Sequence, residues 1–267
     1  MKKLLQCILF MGLLVLAIGQ ADAAIIEVCQ IFYNDSFWDG DNTSSDNGAI
    51  ATDKSALLPG QTSTFANFTS FSSGINGIMI DIAGLASSPS SSDFSFLMGN
   101  NSDVDTWVAA PAPIEFAVRS GEGVSGSDRL TIIWNNNAIV NQWLQVTVRT
   151  TLGLATPDVF YFGNLVGDVT GDGQVTLIDS LAIIGALNAY GSSYMTDIDD
   201  PLHINRDGRI SQLDTLLVNG ILNTSGPTSL AMFTPPEANV PIPEPATMFL
   251  LGSGLAGLLG LRKKFKK

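Results

Sequence analysis

The sequence predicts an all-β domain, a sandwich or a jelly roll, followed by a small α-helical module and a C-terminal transmembrane helix. The β domain is predicted from about eight short apolar segments that alternate with clusters of Ser, Thr, Asn and Gly. The helical module is predicted from a loop-and-helix pattern that occurs twice, because one such unit alone cannot bury its apolar face. The membrane helix is predicted from an apolar stretch that basic residues follow.

Residues 1–23 have the composition of a secretory signal peptide. A pair of lysines precedes an apolar run over residues 4–18, and Ala21 and Ala23 provide the small side chains of a cleavage site. We therefore predict export, with cleavage after Ala23. Cys29 is then the only cysteine left, so an internal disulfide is excluded and we expect a buried structural thiol.

The chain is strongly acidic, with 25 Asp and Glu residues against 13 Lys and Arg and a formal net charge of -12. The basic residues are concentrated at the two termini, so the region between them is more acidic still. Such a surface excludes binding to nucleic acid, whose phosphates need a basic partner. It suits an exported protein that meets divalent cations.

Residues 24–163 form the predicted β domain. Apolar and polar side chains alternate in the segment 143–150, where residues 144, 146 and 148 are apolar. We also expect residues 131–148 to form a β-hairpin, with the asparagine run at 135–137 as its turn. Strands are expected at residues 25–33, 62–68, 77–82, 94–98, 114–119, 129–134, 143–150 and 159–162.

The β domain gives little sign of catalysis. The only histidine of the chain, His203, lies outside it, so a Ser-His-Asp or Cys-His arrangement has no base there, and we expect no enzyme. The aspartates between Asp35 and Asp53 leave open a glycan hydrolase or a further calcium loop, with a solvated loop as the default. Five aromatic residues either form a sugar-stacking surface or belong to the core. They are Phe37, Trp38, Trp107, Trp134 and Trp143.

Residues 168–179, called loop one below, have the spacing of a calcium-binding loop. Oxygen-bearing side chains stand at the first, third, fifth, ninth and twelfth positions, and Gly173 at the sixth permits a sharp reversal. Ca²⁺ prefers about six to eight oxygen ligands, which such a loop can supply. A Gly- and Asp-rich turn without metal is the alternative. The predicted ligands are Asp168, Thr170, Asp172, the carbonyl of Gln174, Thr176 and Asp179.

The same pattern returns at residues 203–214, called loop two below, and the correspondence continues into the following segment. The equivalent ligands are Asn205, Asp207, Arg209, Ser211 and Asp214. Position one, however, is His203, and an imidazole is a poor ligand for Ca²⁺ and repels it when protonated. We therefore expect loop one to bind calcium and loop two to be weak or empty.

The doubled unit, from about residue 167 to residue 223, resembles a type I dockerin module. In that family two calcium-loop and helix units pack with near two-fold symmetry, and the expected module here spans residues 164–223. The short link over residues 162–167 predicts that this module docks closely on the β domain. The resemblance implies a cohesin that contacts loop positions ten and eleven. These are Leu177, Ile178, Gln212 and Leu213, which are more apolar than the pairs common in the family. The expected partner is therefore cohesin-like, or a polysaccharide.

Residues 224–245 are rich in proline, which predicts a disordered or extended linker. The apolar stretch 246–261 is near the lower length limit for a membrane-spanning helix, and five basic residues follow it. Basic residues favour the cytoplasmic side, so the end of the tail is expected inside and the rest of the chain outside.

The triplet Pro243, Glu244 and Pro245, followed by the apolar and basic tail over residues 246–267, resembles a PEP-CTERM sorting signal. The resemblance implies recognition by an exosortase-type membrane peptidase and removal of the tail. A permanent single-pass anchor is the alternative.

Taken together, these patterns predict an exported, calcium-binding, non-catalytic protein of a bacterium. It would be anchored transiently in the inner membrane and then reside at the cell surface or in the exopolysaccharide matrix. The alternative is an extracellular protein that binds or hydrolyses glycans.

Overall fold

The computed structural model of the protein describes residues 23–40, 45–85 and 87–237. Nearly all of the predicted signal peptide, the second part of the predicted linker, the sorting triplet and the apolar tail lie outside these residues. Within the described ranges, no helix is both long and apolar enough to cross a membrane.

The described residues form a mostly β structure with two α-helices. The strands are β1 (Ile25–Ile31), β2 (Phe68–Thr69), β3 (Gly77–Ala83), β4 (Phe94–Gly99), β5 (Val108–Ala109), β6 (Glu115–Arg119), β7 (Asp128–Ile133), β8 (Trp143–Val148), β9 (Asp158–Asn164), β10 (Gln174–Val175), β11 (Ser193–Met195), β12 (Arg209–Ser211) and β13 (Thr228–Ser229). The helices are α1 (Leu177–Tyr190) and α2 (Gln212–Ser225). The predicted β-rich domain and the two helices of the doubled unit are thus confirmed.

Two sheets make up the β domain. The first has the order β1-β3-β7-β6 and is antiparallel throughout. The second has the order β2-β9-β8-β4-β5, in which only the short pairing of β2 with β9 is parallel. Apolar side chains from both sheets, such as Ile80 and Ile132 from the first and Val146 and Phe162 from the second, share one core. The two sheets therefore pack face to face.

The predicted strand at residues 62–68 is wrong. Residues 62–64 have no regular secondary structure, Phe65–Asn67 form a turn of 3-10 helix, and only Phe68 at the end belongs to a strand. The Asn67 side-chain oxygen accepts the Thr64 N–H at 2.8 Å, and the Asn67 amide donates to the Ser55 carbonyl at 3.1 Å. These local side-chain hydrogen bonds bend a segment whose apolar pattern alone suggested an extended chain.

The predicted β-hairpin at residues 131–148 is also wrong, because β7 belongs to the first sheet and β8 to the second. The connection crosses between the sheets, with the Trp134 side chain buried in the core they share. The asparagine run lies against another loop, where Asn137 N–H donates to the Ser73 carbonyl at 2.8 Å. An asparagine-rich run permits several turns and does not specify a two-strand reversal.

A second core covers the outer face of the second sheet. Phe68, Trp143 and Tyr161 from the β domain pack there with Val175 and Ile204 from the helical module. The Ser72 N–H also donates to the Ile204 carbonyl across this boundary, at 2.9 Å. The close docking expected from the short link is therefore confirmed.

Residues 226–237, called the strap below, follow α2 and lie extended along the module and the β domain. β13 pairs with β10, and further along the strap Phe233 is buried beside Trp107 and Trp143. The first part of the predicted linker is therefore packed against the folded body.

Arg206 is a fully buried link between loop two and the β domain. Its guanidinium lies over the Tyr33 ring, 4.5 Å from the ring centroid, and donates to the Tyr33 hydroxyl at 3.2 Å and to the Asp200 carbonyl at 2.6 Å. Such a buried cation–π contact with hydrogen bonds contributes more to stability than a surface pair.

We expect the substitution Arg206→Ala to lower the free energy of unfolding by about 2 to 4 kcal/mol, because these contacts are lost together. Chemical denaturation of the purified protein would measure the change. Arg209→Ala is the matched control, since Arg209 is exposed in the same loop and its loss should change stability by less than about 0.5 kcal/mol. Equal effects of the two substitutions would contradict the assignment.

Candidate metal centre

Loop one connects β9 to α1. Gly171 and Gly173 have φ values of 73° and 80°, in the left-handed region that glycine adopts without strain. The reversal predicted at Gly173 is therefore present, and it folds the loop back on its first residue, Asp168.

Asp168 is fully buried at the centre of loop one. One carboxylate oxygen accepts the Gly171 N–H at 2.7 Å, and the other accepts the Gly173 N–H at 2.8 Å. Each carboxylate oxygen has lone pairs beyond these single hydrogen bonds, so the group can still act as a ligand.

Asp179 is the second fully buried carboxylate of loop one and lies in the first turn of α1. Its Oδ1 accepts the Thr170 hydroxyl at 2.9 Å and the Val169 and Thr170 N–H groups at 3.1 Å. Its Oδ2 accepts the Thr176 N–H at 2.8 Å, so it also completes the capping box of the helix. The Thr170 hydroxyl additionally lies 3.4 Å from Asp168 Oδ1, which brings the two carboxylates to one centre.

The remaining predicted ligands lie around this centre in different roles. Asp172 accepts the Gln174 N–H at 2.9 Å, and Gln174 belongs to β10. Thr176 caps α1 by accepting the Ile178 N–H. Among the described residues no cluster of three or more His, Cys, Asp or Glu side chains is placed to hold a metal ion. The donors of loop one are therefore two central carboxylates together with uncharged oxygens.

Electrostatics favour a cation in loop one. The pKa of the Asp168 carboxyl is raised to about 6, mainly by burial and partly by the nearby Asp179 and Asp172, against the lowering effect of the two glycine N–H groups. Within the described part of the chain, no basic side chain forms a salt bridge with Asp168 or Asp179. Buried carboxylates without a positive partner are unfavourable, and a bound divalent cation removes this penalty. The residues of loop one therefore fit calcium.

Loop two repeats the backbone arrangement of loop one. Asp214 lies at N3 of α2 and accepts the Ile204 N–H at 2.9 Å and the Ser211 N–H at 2.9 Å. Ser211 caps the helix as Thr176 does in loop one. The two loops therefore have the same hydrogen-bond arrangement at their ninth and twelfth positions.

The first position of loop two is different. His203 is fully buried, and its Nε2 lies 3.1 Å from Asp207 Oδ1, while the Asn205 amide donates to Asp207 Oδ2 at 3.0 Å. Burial lowers the pKa of His203, although the hydrogen bond to Asp207 opposes this. The Arg209 side chain is exposed and donates to the Ser193 hydroxyl. The centre of loop two is thus occupied by a side-chain hydrogen bond, and its residues do not fit calcium.

The contacts that place loop two on the β domain were not anticipated from the sequence. The His203 ring lies edge-on to Trp38, with 5.4 Å between ring centroids, and the Phe37 N–H donates to the Arg206 carbonyl at 2.9 Å. Histidine in place of the first acidic ligand was the one signal in the sequence that loop two had another role.

The sugar-stacking surface considered for the β domain is not formed. Trp107, Trp134 and Trp143 are buried in the two cores, and Trp38 is half-buried beside His203. Only Phe37 is exposed, at 59%. These aromatic residues therefore stabilise the fold.

The early aspartates that the structure describes are divided between two places, and Asp41 lies outside the described residues. Burial raises the pKa of both Asp39 and Asp46, whose carboxyl groups are hydrogen bonded to each other. Asp53 lies at the module boundary, where it contacts Lys54 at 2.9 Å. Carboxyl groups in direct contact lack the separation of about 5 Å or more that glycoside hydrolysis uses.

Two parts of the chain match known families. Residues 166–223 match the dockerin type I domain, and residues 241–264 match the PEP-CTERM protein-sorting motif. Searches of curated proteins and of solved structures returned no match. The dockerin match contains both loops and nearly all of both helices described above, whereas the sorting motif lies outside the described residues.

These matches confirm the resemblances inferred from the repeated loops and from the Pro-Glu-Pro triplet. Together they cover less than a third of the chain, so they characterise its C-terminal part and leave the β domain unassigned. The chain is an exported, cell-surface or extracellular protein that carries a dockerin type I module and a PEP-CTERM sorting motif.

Proposed function

We propose that this protein binds one Ca²⁺ in loop one and uses it as a permanent structural brace. The observation that carries the proposal is the pair of buried carboxylates, Asp168 and Asp179, which converge on Thr170 without a basic partner among the described residues. Bound calcium supplies the missing positive charge, and the side-chain and backbone oxygens of the loop hold it.

Loop two serves a different purpose in this proposal. It is docked on the β domain through His203 and Arg206, and its centre is closed by the bond between His203 and Asp207. In this proposal calcium stabilises the module at loop one, and side-chain packing against the β domain stabilises it at loop two.

The proposed role is non-catalytic. His203, the only histidine of the chain, is buried in loop two and bonded to Asp207, so it is not accessible as a general base. We propose instead that the protein is a component of the cell surface or of the exopolysaccharide matrix, placed there after an exosortase-type peptidase has acted at Pro243 to Pro245.

The free face of the helix pair is the proposed site for a protein partner. Leu177, Ile178 and Leu181 of α1 and Leu213 and Leu216 of α2 are each at least half exposed. The charged residues of the two helices, Asp179 and Asp214, are both buried, so the exposed surface of the helices is uncharged. Dockerin domains typically bind cohesins, and we propose a cohesin-like partner whose complementary surface is apolar.

The substitution Asp168→Asn is expected to weaken calcium binding at least about 100-fold, because it removes the central negative charge of loop one. Isothermal titration of the mature protein should give one site, and saturating calcium at about 100 times Kd should add about 2.7 kcal/mol of stability. Asp207→Asn in loop two is the matched control and should leave the affinity unchanged. Undiminished binding by the Asp168 variant would refute the assignment.

The substitution His203→Asp is expected to raise the stoichiometry from one calcium to two. It places a carboxylate at the position that Asp168 occupies in loop one and breaks the imidazole bond to Asp207. His203→Ala, which removes the ring without adding a carboxylate, should keep one site. Two equally tight sites in the unsubstituted protein would contradict the proposed asymmetry.

The intact mass of the mature protein tests the proposed processing. We expect an N-terminus at Ala24 and a C-terminus near Glu244, because the signal peptide and the apolar tail would both be removed. The protein should be purified from the surface or matrix fraction of the producing bacterium. A mass that retains residues 246–267 would instead identify a permanent membrane anchor.

A further inference from the structure

The strap forms part of the surroundings of loop one. In β13, Thr228 and Ser229 pair with Val175 and Gln174 of loop one. The next residue, Leu230, is buried and donates its N–H to the Gly173 carbonyl at 3.0 Å. The segment that leads to the sorting motif is thus hydrogen bonded directly to the candidate calcium loop.

One residue connects the ligand to the strap. The Gly173 N–H donates to Asp168 Oδ2 at 2.8 Å, while the carbonyl of the same residue accepts the N–H of Leu230. The Met232 side chain covers Gly173 from outside, so closely that a Cβ atom on Gly173 would lie 3.1 Å from Met232 Cγ. A shift of the Asp168 carboxylate would therefore move Gly173, which is hydrogen bonded directly to the strap.

The strap has a second attachment that does not involve loop one. The Phe233 ring lies 5.2 Å from the Trp143 ring and 5.6 Å from the Trp107 ring, measured between centroids. Ser63 exchanges two hydrogen bonds with the Phe233 backbone, at 3.0 and 2.8 Å. Residues 228–230 are thus hydrogen bonded to loop one and, through the Ser229 carbonyl, to Asn100 of the β domain, whereas Phe233 is held by the β domain alone.

We propose that calcium binding in loop one and attachment of the strap are energetically coupled. The inference rests on the proposed calcium site. Without the cation, the two buried carboxylates repel each other and the loop loses the arrangement that presents the Gly173 carbonyl. Because coupling between two binding events is reciprocal, the attached strap also strengthens calcium binding.

Hydrogen exchange of the mature protein, measured by mass spectrometry with 1 mM calcium and with EGTA, tests the first direction. We expect exchange of the Thr228 and Leu230 amides, which face Val175 and Gly173 in the hydrogen-bonded pairs of β13 and loop one, to become at least about tenfold faster without calcium. Amides of β3, in the middle of the first sheet, should change little and serve as the internal control. In the Asp168→Asn variant these strap amides should exchange fast in both conditions.

Titration of calcium into a strap variant tests the reciprocal direction. Leu230→Ala should weaken calcium binding by about tenfold, because the side chain is buried beside loop one. Thr234→Ala is the matched control, because the Thr234 side chain is exposed and its hydroxyl is hydrogen bonded only to the Thr62 hydroxyl among the described residues. The calcium affinity of this variant should equal that of the unsubstituted protein.

The outcomes separate the two proposals. Calcium binding with no change in strap exchange, or with an unchanged affinity in the Leu230 variant, would overturn the coupling and leave the calcium site standing. Absence of calcium binding in the unsubstituted protein would overturn both. Faster strap exchange on calcium removal, together with weaker binding by the Leu230 variant, would support both.

Discussion

The arrangement of this protein depends on covering the outer face of the second sheet. Phe68, Trp143 and Tyr161 present aromatic surface on that face, and exposing it to water would be costly. The module covers part of it and the strap covers the rest, with the Trp143 Nε1–H bonded to the Ala231 carbonyl at 2.8 Å. The β domain, the dockerin module and the strap are therefore one packed unit, in which each part completes the burial of another.

This packing explains why the two halves of the module have diverged. Loop one keeps two buried carboxylates and has no basic partner among the described residues, so in the proposed function a calcium ion from solution balances their charge. Loop two brings its own basic side chains, and these lie against Trp38 and Tyr33 of the β domain. The same backbone framework thus forms the proposed metal site in one copy and a contact surface in the other.

The parts predicted correctly from the sequence were those that short-range pattern determines. The alternation of apolar and polar residues predicted most of the strands, and the spacing of oxygen-bearing side chains located both loops. The strand prediction for residues 62–68 was wrong because side-chain hydrogen bonds of Asn67 bend this segment. The hairpin prediction was wrong because the alternation of apolar and polar residues does not indicate which sheet a strand joins. The pairs formed by His203 with Trp38 and by Arg206 with Tyr33 join residues far apart in the chain, which no local pattern encodes. The packing of the strap was not predicted either, because its proline-rich composition gave no sign that Leu230 and Phe233 are buried.

The end point of the strap limits how the protein can be displayed. The last described residue, Glu237, is six residues before Pro243, and a chain of that length spans at most about 20 Å. If the protein is joined to a larger structure near Glu244, its folded body stands off from the attachment point by less than its own diameter. A protein held in this way reaches only its immediate surroundings, whereas a long-stalked adhesin reaches distant targets.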